Sequence, residues 1–244
     1  MDGLTLFIEG DGAAWTSPTS SSTDPTPRDP LALRLALAHP EGVAAYVGRP
    51  CQFVAQRQPE CTPEYWTRKR YSREVVDAVD AAIDVLKARF DARHLTLVGY
   101  SGGGSIAALV AARRTDVVKL VTIAANLDHE RWTSRHRVDP LIGSLNAADV
   151  ATRLRSIPQW HFVGGRDKIV GLDVVEAYAE RLPPGQRPAI VVEKDFDHRC
   201  CWVERWPALW ALTDSPPAQP GFATAQRPAG AIGETRAREP ALAR

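Results

Sequence analysis

The sequence predicts an α/β protein: a mostly parallel central sheet with helices on both faces. Three observations predict it. Short apolar runs alternate with helix-like stretches over residues 1–213. Those runs are continuous in their hydrophobicity, as in strands covered on both sides, and are not alternately polar. The composition, 44% hydrophobic and 24% charged over 244 residues, suits one globular domain with a sizeable core.

The elements follow in order. LTLFIE, residues 4–9, is the first strand, stopped by Gly10-Asp11-Gly12. Residues 16–30 are rich in Ser, Thr and Pro and read as a loop. Asp29-Pro30 reads as an N-cap followed by a proline in the first turn, opening the helix LALRLALAH. VAAYV, residues 43–47, is the second strand. A long loop then carries Cys51, Cys61 and the stretch YWTRKRYS. Ser72 caps the next helix, whose Val75, Val79, Ile83, Leu86 and Phe90 recur on one face. The remaining strands are HLTLVGY at 94–100, VVKLVTIAA at 117–125, WHFVGG at 160–165 and AIVVEK at 189–194. Helices are expected at 105–114, 174–182 and 204–212. Residues 126–157 are irregular and polar and contain a tryptophan. Residues 214–244 hold Pro, Ala, Gly and Arg without apolar periodicity and are expected to form a disordered tail.

Composition also narrows the function classes. A net charge of +1 gives no broad field for nucleic acid or an anionic membrane surface. No apolar run approaches a membrane span. As written, the chain reads as cytoplasmic; a periplasmic or exported protein stays open if a segment precedes the first strand. The four cysteines form no C-x-x-C pair. Cys51 and Cys61 are spaced for either a disulfide or two reduced thiols. Cys200 and Cys201 are adjacent and are expected to fill core space. No histidines share metal-ligand spacing, so no metal and no cofactor are expected.

Chemistry concentrates in VGYSGGGSIA, residues 98–107. Gly99-Tyr100-Ser101-Gly102-Gly103 is G-x-S-x-G, a strand–turn–helix that presents a serine. The overlapping G-x-G-x-x-A at 102–107 matches a dinucleotide fingerprint. Strand order weighs against the cofactor: the fingerprint belongs on a first strand, and the acid that would hold a ribose, Asp128, comes late. A serine hydroxyl, for its part, needs a histidine to take its proton and a carboxylate to orient that histidine. Ser101, Asp167 and His198 each lie just past a strand end, in the chain order Ser, Asp, His. Developing charge on a carbonyl oxygen would be met by backbone N–H groups. Gly102 follows the serine at a helix start, and Asp11, with Gly12 as the alternative, lies on the loop after the first strand. Asp195 and Asp197 are the fallback acids, but they lie so close to His198 in sequence that they are expected to shape its loop. Tyr100, Trp15, Trp132 and Trp202 are aromatics on loops expected around the site, where they line a substrate pocket or pack the loops themselves.

With these motifs the chain resembles the α/β-hydrolase superfamily over about residues 4–212. FIEGDGAAW, RPCQFV, YWTRKRYSREVV and PLIGSLN look like a little-characterised bacterial branch of it. The resemblance implies that Ser101 is nucleophile, Asp167 acid and His198 base, with Asp11 and Gly102 as oxyanion donors. It implies a lid where residues 126–157 are inserted. Two departures stand out. Glu9-Gly10 occupies the place where the superfamily often has His-Gly, and the two strands that usually open the sheet are absent. The expected function is a serine hydrolase acting on a small ester or acyl substrate. A peptidase or acyltransferase with the same triad, and a non-catalytic binding protein on this fold, are the alternatives.

Overall fold

The structure, a computed structural model, describes residues 2–17, 19–54 and 58–214. The expected tail therefore lies outside the described residues, except for Asp214, which ends a 3-10 turn at Leu212–Asp214.

Six parallel strands form the central sheet: β1 (Gly3–Ile8), β4 (Ala44–Val47), β5 (His94–Tyr100), β6 (Val117–Ile123), β7 (Gln159–Gly164) and β8 (Ala189–Glu193). Their order is β4-β1-β5-β6-β7-β8, so β4 and β8 are the edges. Register is tight at the centre, where Ile8 pairs with Gly99 and Gly99 with Thr122. A separate hairpin, β2 (Trp15–Ser17) with β3 (Ser20–Ser21), falls in the stretch read as plain loop. Its residues are Ser, Thr and Trp, which are solvated on both faces and show no apolar alternation.

Helices cover both faces: α1 (Leu31–Leu37), α2 (Arg73–Arg89), α3 (Gly102–Ala111), α4 (His129–His136), α5 (Leu172–Ala179) and α6 (Trp202–Ala211). The period of two in a strand divides the core between the faces. Leu4, Leu6 and Ile8 join Leu95, Leu97 and Leu120 under α2, α3 and α5. Phe7, Val98, Val121 and Ile123 turn the other way, under α1 and α6, where Trp202 and Trp206 are fully buried. On this face Trp206 Nε1 donates to His39 Nδ1 at 3.3 Å.

Helix starts differ from expectation in their caps. Pro30, not Asp29, holds the N-cap position of α1, and Asp29 instead pairs with Arg34 at 3.0 Å. Ser72 is the N-cap residue of α2 but makes no side-chain cap bond. The polar insertion is more regular than expected. It contains α4, capped by the Asp128 carboxylate on the N–H groups of Glu130 and Arg131, and a 3-10 segment, Ala147–Leu154. Only His129 and Thr133 of α4 are buried, so no apolar face announces this helix.

The cysteines pair. Cys51 and Cys61 are joined by a disulfide with their Cα atoms 5.5 Å apart. Cys200 and Cys201 are joined to each other; Cys201 is half-buried and packs against the core under α1 and α6, whereas Cys200 is exposed and fills no core space.

One buried group gives the fold a pH signature. His161 on β7 is fully buried, with Nδ1 2.8 Å from Thr122 Oγ1. Burial pushes its imidazole down to about 3. In the unfolded chain it titrates near 6.5. Between those values the unfolded state binds more protons, so stability is lost as pH falls through that window. The loss reaches about 2 kcal/mol by about pH 5. Thermal melts of wild type and His161→Leu at about pH 7.5 and about pH 5 should show the smaller acid drop in the variant. Equal drops would contradict this assignment.

Candidate active site

Strand order creates the site before any side chain is considered. The chain steps from β1 outward to β4 and then returns past β1 to β5. The loops after β1 and β5 therefore diverge at the carboxyl edge, where open α/β sheets place ligands. Ser101 stands at that point, between β5 and α3.

The turn that carries Ser101 is tight. Its φ is 51° and ψ −123°, a conformation that costs a non-glycine residue about 1–3 kcal/mol. Ser101 N–H donates to Ile123 O at 2.9 Å, and Ser101 O accepts from Gly104 N–H at 3.0 Å. Gly99 makes the geometry feasible: a Cβ there would lie 2.5 Å from Gly103 O and from Gly104 Cα. At Gly102 a Cβ would run into the Asp11 carboxylate, so the first turn of α3 abuts the loop after β1. As a first-turn residue, Gly102 has no intrahelical acceptor for its N–H.

Asp167 and His198 come together because their loops are stitched to one another. Gly165 N–H donates to Glu193 O and Arg166 N–H to Phe196 O, both at 2.8 Å. Asp197 shapes the second loop, its Oδ1 accepting from the N–H groups of Arg199 and Cys200 at 2.8 Å each. Asp195 pairs at the surface with Arg166, 2.6 Å away. As a result His198 Nδ1 lies 2.8 Å from Asp167 Oδ2, and His198 Nε2 lies 3.0 Å from Ser101 Oγ. The other Asp167 oxygen, Oδ1, accepts from Ile169 N–H at 2.7 Å and Val170 N–H at 2.9 Å. The Asp167 side chain is fully buried, and that of His198 is 11% exposed. The serine, the histidine and the carboxylate thus form one hydrogen-bonded run.

The four aromatics have different places. Trp202 is not on a pocket surface. It is buried in the face under α1 and α6, and its Nε1 donates to His198 O at 3.2 Å and Asp197 O at 3.1 Å. Tyr100 is also buried, and its OH donates to His198 O at 3.1 Å. Both hold the histidine loop from below. Tyr100→Phe should therefore cost about 1 kcal/mol in denaturant titration, since Trp202 keeps the carbonyl satisfied. A loss above about 3 kcal/mol would mean that the two bonds are not redundant. Trp132, on α4, is half-buried, and its Nε1 donates to Ile169 O at 2.8 Å, just beyond the acid turn. Trp15 is 48% exposed on the hairpin.

Glu9 is almost fully buried. It accepts from Gly10 N–H at 2.9 Å and Tyr46 OH at 3.2 Å, beside the first turn of α1. Burial raises its carboxyl above the usual range, and these donors offset only part of that. Its side chain thus braces the loop that leads to Asp11.

Sequence reasoning missed the groups around the Asp11 side chain. Arg49 Nη1 lies 3.1 Å from Asp11 Oδ1, and Arg70 Nη1 lies 2.8 Å from Oδ2. Tyr71 OH donates to Oδ2 at 3.3 Å. Arg49 also donates through Nη2 to Arg70 O. Burial alone would raise the Asp11 carboxyl, but the two guanidinium groups bring it below its usual range. Gln52 locks the same loop by donating to Gly10 O at 2.9 Å while accepting from Arg49 N–H at 2.9 Å. The contacts to the Asp11 side chain join residues 38 to 60 positions apart, and no local pattern in the sequence encodes them.

A separate cleft of about 430 Å³ lies between α2 and the loop bridged by Cys51 and Cys61. It is lined by Val47, Gln52, Tyr65 and Val79 among others, and by none of Ser101, Asp167 or His198. Among the described residues no cluster of His, Cys, Asp and Glu has the makings of a metal site. No helix among them is long and apolar enough to cross a membrane.

Comparison with known proteins places the fold. No protein-family model matches the chain, and no curated protein matches it. Solved structures do match. One is 2,6-dihydroxy-pseudo-oxynicotine hydrolase, with a TM-score of 0.58 and 18% identity. That match covers 91% of this chain and 64% of the hydrolase, so this chain spans less than two thirds of its length. Another is the esterase domain of a Rhodothermus marinus protein, with a TM-score of 0.55, 17% identity and 85% of each chain covered. A third is an α/β serine hydrolase homologue from Coxiella burnetii, with a TM-score of 0.55 and 17% identity over 87% of this chain and 83% of that one. The architecture is the α/β-hydrolase fold, shared with esterases and serine hydrolase homologues.

Proposed function

We propose that the protein is a serine hydrolase that cleaves a carboxylic ester of a small molecule through an acyl-enzyme. The observation that carries this reading is the run from Ser101 Oγ through the His198 ring to the buried Asp167, with links of 3.0 and 2.8 Å. The strained turn under Ser101 and the esterases among proteins of the same fold support it.

In this reading Ser101 Oγ forms a bond to the ester carbonyl carbon while His198 Nε2 takes the hydroxyl proton. The carbonyl π electrons move onto oxygen, and the N–H groups of Gly102 and Asp11 hold that oxyanion. Gly102 has the positive end of α3 behind it. When the oxyanion collapses, the alcohol leaves with the proton from His198. Water then enters, His198 takes one of its protons, and the same steps release the acid and restore Ser101. Asp167 fixes Nδ1–H toward itself, so that Nε2 faces the serine as an acceptor. Tyr100 and Trp202 position the histidine, Trp132 walls the substrate, and Trp15 lies at the rim. The insertion at 126–157 forms a short lid. No cofactor takes part in these steps.

A fluorophosphonate probe tests the reading, because it reacts with a serine that is already activated. Intact-mass measurement should show one adduct on wild type and none on Ser101→Ala. A folded wild-type protein that takes no adduct would overturn the proposal.

A further inference from the structure

The side of the site opposite His198 is electropositive in a way that ester hydrolysis alone does not require. Arg49 and Arg70 are both 6% exposed, yet among the described residues Asp11 is the sole carboxylate paired with either. Their other partners carry no charge: Arg70 Nε donates to Thr67 O at 2.6 Å and Arg49 Nη2 to Arg70 O, while Tyr71 is neutral, its hydroxyl pushed well above its usual range by burial and by Asp11. The N-terminus of α3 adds further positive potential at Gly102, against which the Asp11 carboxylate packs. Two guanidinium groups and a helix start thus face one carboxylate. A buried excess of positive charge is costly unless an anion completes it.

The excess is also placed where a substrate would reach it. Arg70 Cζ lies 5.9 Å from the centre of the Trp132 ring. Trp132 in turn is tied to Ile169 O beyond the acid turn. Asp11, Arg70, Trp132 and Ile169 therefore form a continuous arc from the loop after β1 to the loop after β7. Arg49 Nε, behind Arg70, is buried without a hydrogen-bond partner. The leaving oxygen of an ester must face His198, which follows β8. A group that reaches Arg70, on the β1 side, belongs to the acyl part.

We propose that Arg70, backed by Arg49 on the Asp11 carboxylate and faced by the Trp132 ring, receives a carboxylate at the far end of the acyl group. The substrates are then half-esters of dicarboxylic acids. Arg70 is the specificity-determining residue, and a planar guanidinium suits a carboxylate through paired N–H bonds. This proposal rests on the reading of Ser101 as the nucleophile.

The test compares para-nitrophenyl hydrogen glutarate with para-nitrophenyl pentanoate, which has the same chain length without the charge. Wild type should favour the glutarate ester in kcat/KM by about tenfold or more, the factor expected of one charge-assisted bond. Arg70→Met should bring the ratio to about one or below, and Arg70→Lys should restore part of it. High salt should erode the wild-type preference. The ratio is read within each variant, so a general loss of activity does not imitate the effect. A wild-type ratio of one or less overturns the proposal without reference to any variant. So does a ratio unchanged in Arg70→Met, or a protein labelled at Ser101 that does not turn over the glutarate ester. Absence of labelling at Ser101 instead overturns the reading beneath it.

Discussion

Ser101→Ala should abolish ester turnover, by about a millionfold in kcat where the nucleophile of such a triad is removed. It should leave the fold in place. Among the described residues the one hydrogen bond of the hydroxyl is to His198. The backbone of the turn is held by Ser101 N–H on Ile123 O and by Gly104 N–H on Ser101 O, neither of which depends on the side chain. Alanine has the same difficulty as serine at a φ of 51°. Ser101→Gly separates strain from chemistry. Glycine accepts this conformation freely, so the glycine variant should be more stable than the alanine variant by about 1 kcal/mol while remaining equally inactive. Denaturant titration of the two variants checks the first claim and ester turnover the second. Turnover in Ser101→Ala within tenfold of wild type would end the covalent mechanism.

The sequence revealed the parts of this site that are local and hid the parts that are not. HLTLVGY was legible to the residue as β5, because an apolar run meets a G-x-S-x-G turn and then a helix pattern. Strands β1, β4, β7 and β8 were legible to within one residue, for Gly or Asp follows closely on each; β6 runs on into Ala124 and Ala125 with no such stop, and its expected end lies two residues too far. Ser101, Asp167 and His198 could be picked out because each follows a strand end, and parallel strands send all their carboxyl ends to one edge. Helix α4 was not legible. Its polar residues HERWTSRH bury only two side chains, and the one local signal is Asp128 as a cap with Glu130 two residues on, too little to mark a helix in a polar stretch. The charged cluster on Asp11 was hidden for a different reason. Arg49 and Arg70 sit in a long loop without periodicity, and only the fold brings that loop onto the end of β1.

That cluster alters what the Asp11 position means. The sequence points to its backbone N–H as an oxyanion donor and is silent on the surroundings of its side chain. A bare carboxylate packed against the first turn of α3 would oppose negative charge developing on the substrate. Arg49 and Arg70 remove that objection and reverse the sign of the local field. Glu9, in the place where related folds often carry histidine, makes no such contact. It faces Gly10 N–H and Tyr46 OH, so its burial serves the shape of the loop rather than its charge.

Asp167→Asn should lower kcat by about ten-thousandfold while the protein stays folded. The argument turns on which way the new amide points. Asp167 Oδ1 accepts from two main-chain N–H groups, Ile169 at 2.7 Å and Val170 at 2.9 Å. An amide nitrogen cannot replace an oxygen opposite two donors, so the asparagine oxygen must keep that place. The NH₂ group is then forced to the position of Oδ2, 2.8 Å from His198 Nδ1. There it donates to Nδ1, which must become the acceptor, and the ring proton moves to Nε2. Nε2–H now points at Ser101 Oγ, 3.0 Å away, and can no longer take its proton. The chemistry fails through the wrong tautomer, not through lost geometry. Nitrogen-15 NMR of the His198 ring should show the proton on Nδ1 in wild type and on Nε2 in Asp167→Asn, at a pH where the ring is neutral. Labelling by the fluorophosphonate probe should slow in parallel with turnover. A variant with the wild-type tautomer and the same loss of rate would show that Asp167 acts through its charge alone, and the orientation argument would be wrong.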